Sequence, residues 1–153
     1  PLQPETPWIG FYNMRNFGDL KSDNFILETE LKNEFSEGSG VCQYSEIHLR
    51  LEGGLFMLPL SIKGCVSGLQ LFDASGAKAD PSHLGVNFED WVNVRIEVKD
   101  GKGQISINNK KAYDISLNSV KIAGLLFRFQ GTGSVNYVKM STIDGHVVYE
   151  DNF

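Results

Sequence analysis

The chain has 153 residues, a formal net charge of −5, 41% hydrophobic and 22% charged residues. That length fits one domain with a sizeable core, and the composition is that of a globular chain rather than a disordered one. The charge is spread without a basic block, which argues against a nucleic-acid partner, and no apolar run approaches the roughly 18 residues of a membrane-spanning helix.

In chain order, the sequence opens at Pro1 without an initiator Met and is read as a processed or excised piece, so a missing leader says nothing about compartment. "PLQPETP" (1–7) reads as a loosely held extended segment and "WIGFY" (8–12) as a first strand. "NFILETELKN" (24–33) is a strong strand, with Phe25, Leu27 and Leu31 on one face. "EIHLRLE" (46–52) and "LFMLPLSIK" (55–63) flank Gly53-Gly54, and "SGLQLFD" (67–73) follows. "ASGAKADPSHLG" (74–85) reads as a loop. After it come "WVNVRIEVKDGKGQISINNKKAY" (91–113), "AYDISL" (112–117), "AGLLFRFQG" (123–131), "SVNYVKMSTI" (134–143) and "HVVYEDNF" (146–153). About eleven short strands of period two, with no helical period and no repeat, predict a single all-β domain over 1–153, an antiparallel sandwich.

Turn chemistry suggests registers. A two-residue turn at Gly53-Gly54 sets Leu51 against Phe56, Leu49 against Leu58 and Ile47 against Leu60, all apolar on apolar. Pro59 then falls at a ladder position and calls for a bulge or an edge strand nearby. A four-residue "DGKG" loop sets Val98 against Ile105 and Ile96 against Ile107. Around Asn108-Asn109, a three-residue loop pairs Ile105 with Tyr113, whereas a shorter one does not. The first of these registers brings Cys42 opposite Cys65. That is a reason to expect a disulfide, worth about 3 kcal/mol and pointing to an oxidising compartment. Two free thiols are the alternative. Two Cys without nearby His fall short of a metal site.

Taken together, "NFILETELKN", "EIHLRLEGGLFMLPL" and "DWVNVRIEVKDGKGQISINNKKAYD" resemble the concanavalin A-like lectin/glucanase superfamily, its laminin-G-like domains in particular. There a Trp opens a strand that leads into a hairpin whose return strand carries a short turn and an aromatic. Here those are Trp91, the DGKG loop, Asn108-Asn109 and Tyr113, with Lys110-Lys111 where a Gly is usual. "LLFRFQGTGSVNYVKMSTIDG" fits the last strands of such domains. The resemblance implies a jelly roll of two curved antiparallel sheets, with sugar or another ligand often held on the concave face or at loops along its rim. Members include lectins, carbohydrate-binding modules, glycoside hydrolases and protein-binding domains.

Two acids suit a glycosidase when they stand about 5 to 9.5 Å apart. Glu28 and Glu30, two apart on one strand, are about 7 Å apart on the face away from the core. The glucanases that this chain resembles carry an E-x-D-x-E or E-x-D-x-x-E strand. Here Glu28-Thr29-Glu30-Leu31-Lys32-Asn33-Glu34 has Glu for the central Asp and its third acid one residue late. His48, His83 and His146 are scattered, no G-x-S-x-G elbow occurs, and no metal or cofactor is expected.

The polar faces of the strands collect Glu28, Glu30, Lys32, His48, Arg50, Arg128 and Gln130, groups that can pair with hydroxyls, with Trp8 and Tyr44 as candidate aromatic platforms. The hairpin face of Asn93, Arg95, Glu97 and Lys99 mixes signs, lacks an aromatic and reads as plain exterior. The expectation is a non-catalytic binding or accessory module of an exported protein, extracellular, periplasmic or at the cell surface, with a glycan the leading ligand. A saccharide-cleaving enzyme using Glu28 and Glu30 and a structural or protein-interaction domain are the alternatives.

Overall fold

The structure is a computed structural model describing residues 8–13, 17–34, 44–61, 69–72, 78–79, 91–130 and 132–153. The described strands are β1 (Trp8–Asn13), β2 (Phe25–Glu34), β3 (Tyr44–Leu51), β4 (Gly54–Ser61), β5 (Leu69–Phe72), β6 (Lys78–Ala79), β7 (Val92–Lys99), β8 (Lys102–Ile107), β9 (Lys110–Ser116), β10 (Ile122–Gln130), β11 (Thr132–Ser141) and β12 (Val147–Asp151). They form two six-stranded antiparallel sheets. Sheet I has the order β1-β10-β3-β4-β5-β6 and sheet II the order β12-β11-β2-β7-β8-β9. The expected all-β sandwich is therefore present, with β6 inside the stretch expected to be loop. The segment 1–7 lies outside the described residues.

Alternation decides which side chains meet between the sheets. Sheet II turns Phe25, Leu27, Leu31, Val92, Val94, Ile96, Val98 and Ile105 inward. Sheet I answers with Ile47, Leu49, Leu51, Phe56, Leu58, Leu60, Leu125, Phe127 and Phe129. Each large side chain so buried is worth on the order of 2 kcal/mol of apolar transfer. Thr29, fully buried on the inward face of β2, donates its hydroxyl to the Tyr137 carbonyl at 2.7 Å and so leaves no polar atom unpaired.

Both predicted hairpin registers are corrected, each by two residues. In the β3–β4 hairpin the loop is Glu52-Gly53, with Gly53 at φ 79°, so Leu51 pairs with Gly54, Leu49 with Phe56 and Ile47 with Leu58. In the β7–β8 hairpin the loop is Asp100-Gly101, both at positive φ (51° and 79°). That is the type I′ turn whose twist matches the strands. It sets Ile96 against Ile105 and Val98 against Gly103. A shift of two keeps every side chain on its face, so the buried set is the expected one although the partners differ.

The Asn108-Asn109 turn is also a two-residue loop with both φ positive (51° and 64°), yet Ile105 pairs with Tyr113. A bulge in β9 absorbs the extra residue. The β3–β4 ladder passes Pro59 without a bulge, and the described pairing of β4 with β5 ends at Met57. Pro59 thus has one described neighbouring strand, where a missing N–H costs least. The disulfide expectation rested on the Gly53-Gly54 register, which is not the one adopted; Cys42 and Cys65 lie outside the described residues.

One end of the sandwich is closed by the segment before β2. Phe17 and Leu20 are buried there, and Phe17 meets Tyr149 edge-on, ring centroids 5.6 Å apart. The Ser22 amide donates to the Val120 carbonyl at 2.8 Å, the Ile122 amide to Leu20 at 3.1 Å, and the Gly101 amide to Asp23 at 2.9 Å. The fully buried Ser22 hydroxyl donates to the Asn118 carbonyl and accepts from the Val120 amide. This segment is tied to both sheets.

Candidate functional site

The predicted polar residues divide between the two outer faces of the sandwich. Glu28, Glu30 and Lys32 lie on β2 in sheet II; His48, Arg50, Arg128 and Gln130 lie on β3 and β10 in sheet I. The packed core separates the two groups, and the outer faces of a sandwich look in opposite directions. They do not form one site.

On sheet II a row of alternating sign runs across four strands, Glu150, Lys139, Glu28 and Arg95, and continues in register through the uncharged Ser106 to Lys111. Arg95 donates to Glu28 and, at 3.1 Å, to Glu97. Glu30 accepts from the Asn136 side chain at 2.9 Å, and the Asn93 side-chain amide donates to the Tyr137 hydroxyl at 2.9 Å. A bulge between Val135 and Tyr137 brings this tyrosine opposite Glu30, on the face where no aromatic was expected. Both carboxylates of the glycosidase alternative are thus engaged by neighbours on their own face. Opposite charges across adjacent strands support the sheet itself.

Sheet I offers a different arrangement. β3 presents Glu46, His48 and Arg50 outward, between the inward Ile47 and Leu49. In the β3–β10 ladder Arg128 lies opposite Glu46, Leu126 opposite His48 and Gly124 opposite Arg50. One oxygen of Glu46, Oε1, lies 3.0 Å from His48 Nε2 and 3.3 Å from Arg128 Nη1. Because a carboxylate only accepts, Nε2 carries the proton and donates, which leaves Nδ1 of a neutral ring as an acceptor. The Glu46 and His48 side chains are only 12% and 10% exposed, so this group is held in place rather than waving in solvent. Leu126, Met57 and Leu55, all half-buried, lie around it on the same face, with exposed Arg50 alongside. Register pairs Trp8 with Gln130 and Tyr44 with Ser61, positions of the same parity as Arg128 and Glu46.

The structure therefore joins His48 and Arg128 through Glu46, a residue the sequence reading passed over. Its signal was present: Glu46 shares the parity of His48 and Arg50 in "EIHLRL". That β10 would lie beside β3, bringing Arg128 to the same carboxylate, carries no local signal. Among the described residues no group of three His, Cys, Asp or Glu is placed to hold a metal ion, and no helix is long and apolar enough to cross a membrane.

No family model matches the sequence, and no curated protein matches it. Solved structures do match in shape. A carbohydrate-binding module, CBM66 from Bacillus subtilis, superposes with a TM-score of 0.60 at 11% identity, covering 90% of this chain and 97% of that one. A galectin of Caenorhabditis elegans gives 0.58 at 13% identity over 86% and 95%. A tetrameric galectin of the sponge Cinachyrella sp. gives 0.56 at 12% identity over 89% and 99%. The fold is the concanavalin A-like β-sandwich. At these identities the likeness extends to the fold and no further, and function has to be argued from the face of sheet I.

Proposed function

We propose that this chain is a non-catalytic carbohydrate-binding module and that the outer face of sheet I holds the sugar. The observation that carries this reading is the Glu46–His48–Arg128 group, in which the largely covered Glu46 holds the covered His48 and the more open Arg128 on one oxygen, set among half-buried Leu55, Met57 and Leu126. A pyranose or furanose ring has the complementary make-up. Its C–H faces rest on apolar side chains, and its hydroxyls both donate to carboxylate or imidazole and accept from guanidinium. Oε1 of Glu46 holds the cluster together, and a carboxylate has further lone pairs with which to accept from a hydroxyl. The structural neighbour from Bacillus subtilis is, by its description, a carbohydrate-binding module, which supports the same ligand class. An exported setting, at the cell surface, in the periplasm or outside the cell, goes with this reading; fractionation of cells bearing the tagged full-length protein checks it.

The experiment is a glycan array, followed by calorimetry with the best-bound glycan. Charge-assisted hydrogen bonds contribute about 1.5–3 kcal/mol each, so Glu46→Gln and Arg128→Ala are each expected to weaken binding about 10-fold or more. Arg95→Ala, on the opposite face, should leave it unchanged. An array without hits, or full affinity in both sheet I variants, overturns the proposal.

A further inference from the structure

The closed end of the sandwich carries a concavity, with a volume of about 510 Å³, between the segment 17–24 and the β11–β12 turn. That volume lies within the range of small-molecule sites, roughly 300–1,000 Å³. Asp19, Lys21, Asp23 and Asn24 line one side, and Ile143 and Val148 the other. We propose that this groove is a second saccharide subsite, separate from the outer face of sheet I and standing whether or not that face binds sugar.

Three observations carry it. The walls are already fixed: backbone bonds tie 20–24 to Val120, Ile122 and Gly101, and the Thr142 amide donates to the His146 carbonyl at 2.9 Å across the opposing turn. A site built this way spends little binding energy on ordering itself. Next, the polar groups are uncommitted. Among the described residues neither the Asp19 nor the Asp23 carboxylate, nor the Lys21 ammonium, has a hydrogen-bond or ion-pair partner, although the three lie within five residues. Asn24 is half committed: its Oδ1 accepts the Asp100 amide at 3.1 Å, which orients the side chain and leaves Nδ2 as a donor. Last, the lining mixes charge and amide with the apolar side chains of Phe17, Leu20, Ile143 and Val148.

These features select the ligand class. Among the described residues no third acid or imidazole joins the two carboxylates in a group able to hold a cation, and two are too few for a cage. A phosphate or carboxylate ligand would meet Asp19 and Asp23 at close range. A lipid chain would leave all three charges desolvated and unpaired. A neutral polyhydroxylated ring satisfies each group: hydroxyl donors to the two carboxylates, oxygen acceptors for Lys21 and Asn24, and a C–H face on Ile143 and Val148. Two separate subsites on one rigid domain would hold a polymeric glycan at two points, multiplying weak contacts through effective concentration.

The test is a nitrogen-15 amide-shift titration of the folded domain with galactose, glucose, mannose and fructose in turn. For at least one sugar, saturable shifts are expected at the amides of 18–24 and 142–143. Asp19→Asn with Asp23→Asn should raise the groove's Kd at least 10-fold, whereas Glu46→Gln leaves it unchanged; the same spectra report that each variant is folded. No saturable shift in the groove with any of the four sugars, or equal affinity in the double variant, overturns the subsite. A response confined to the amides of 46–50 and 126–128 removes the groove and keeps the sheet I reading, and a response confined to the groove does the reverse.

Discussion

At Gly133 one added methyl group tests the packing between the sheets. The residue lies on β11 of sheet II, and a Cβ built there would sit 2.1, 2.3 and 2.5 Å from Cδ1, Cγ and Cε1 of Phe129. Carbon atoms in contact prefer about 3.5–4.0 Å, so the ring or the strand must give by more than an ångström. Phe129 is fully buried on β10 of the facing sheet, and β11 is paired with β2 at Gly133 and with β12 further along, from Val138. Neither side can move without disturbing close-packed neighbours. Overpacking of this kind costs about 1–3 kcal/mol. At about 2–4 °C per kcal/mol for a domain of this size, Gly133→Ala should lower the Tm by roughly 2–12 °C, with a matching fall in the urea midpoint. Shortening the facing side chain should relieve the clash, so Gly133→Ala with Phe129→Leu should cost less than the sum of the two single changes. A single variant within 0.5 kcal/mol of the parent, or strict additivity in the double variant, refutes the claim that these two residues set the spacing of the sheets here.

At the β8–β9 turn, Asn109 sits at φ 64°, so Asn109→Ala should cost about 1 kcal/mol in urea unfolding while Asn109→Gly costs much less; equal effects would remove the backbone explanation. Arg95 bridges Glu28 and Glu97 at 40% exposure, so Arg95→Ala should change stability by about 1 kcal/mol or less; a cost of several kcal/mol would mean that the charge row on sheet II does more than decorate a solvated face. In the β11–β12 turn, the Thr142 hydroxyl, and after it the His146 amide, hold the Asp144 carboxyl below its ordinary range. A depressed native pKa means that the unfolded chain takes up the proton first. This contribution to stability is therefore complete above the unfolded value and disappears as pH falls through the native one. Thr142→Val should move the Asp144 carboxyl titration, followed by NMR, up toward its ordinary value, and an unmoved titration would exclude the hydroxyl as the cause.

Period-two alternation in "NFILETELKN", "EIHLRL" and "VNVRIEV" was enough to assign the inward side chains, because a strand turns successive residues to opposite faces wherever it sits. The same rule made the outward parity of Glu46, His48 and Arg50 legible. Register was not legible in the same way. Leu49 against Phe56 and Leu49 against Leu58 are both apolar pairs, and both leave the same atoms buried, so the hydrophobic pattern cannot choose between them; the turn conformation chooses. Asp100-Gly101 did carry that local signal, as a dipeptide suited to a type I′ turn. Tyr137 shows the opposite case. A bulge at Asn136 breaks the alternation, so a residue that the pattern pairs with inward Val135 instead lies opposite Glu30.

By itself, then, the sequence determined the all-β class, the extent of most strands and which side of each is buried, since these follow from local periodicity and hydrophobic burial. The tertiary structure alone decided that Glu28 and Glu30 share no site with His48 and Arg128, that Arg128 reaches Glu46, and that Asp19, Lys21 and Asp23 line a groove facing Ile143 and Val148. The last two depend on which segments lie side by side across about 80 to 130 residues of chain, and the first on which sheet each strand joins. That neighbourhood is selected by the packing of the whole sandwich, and no short stretch of sequence encodes it.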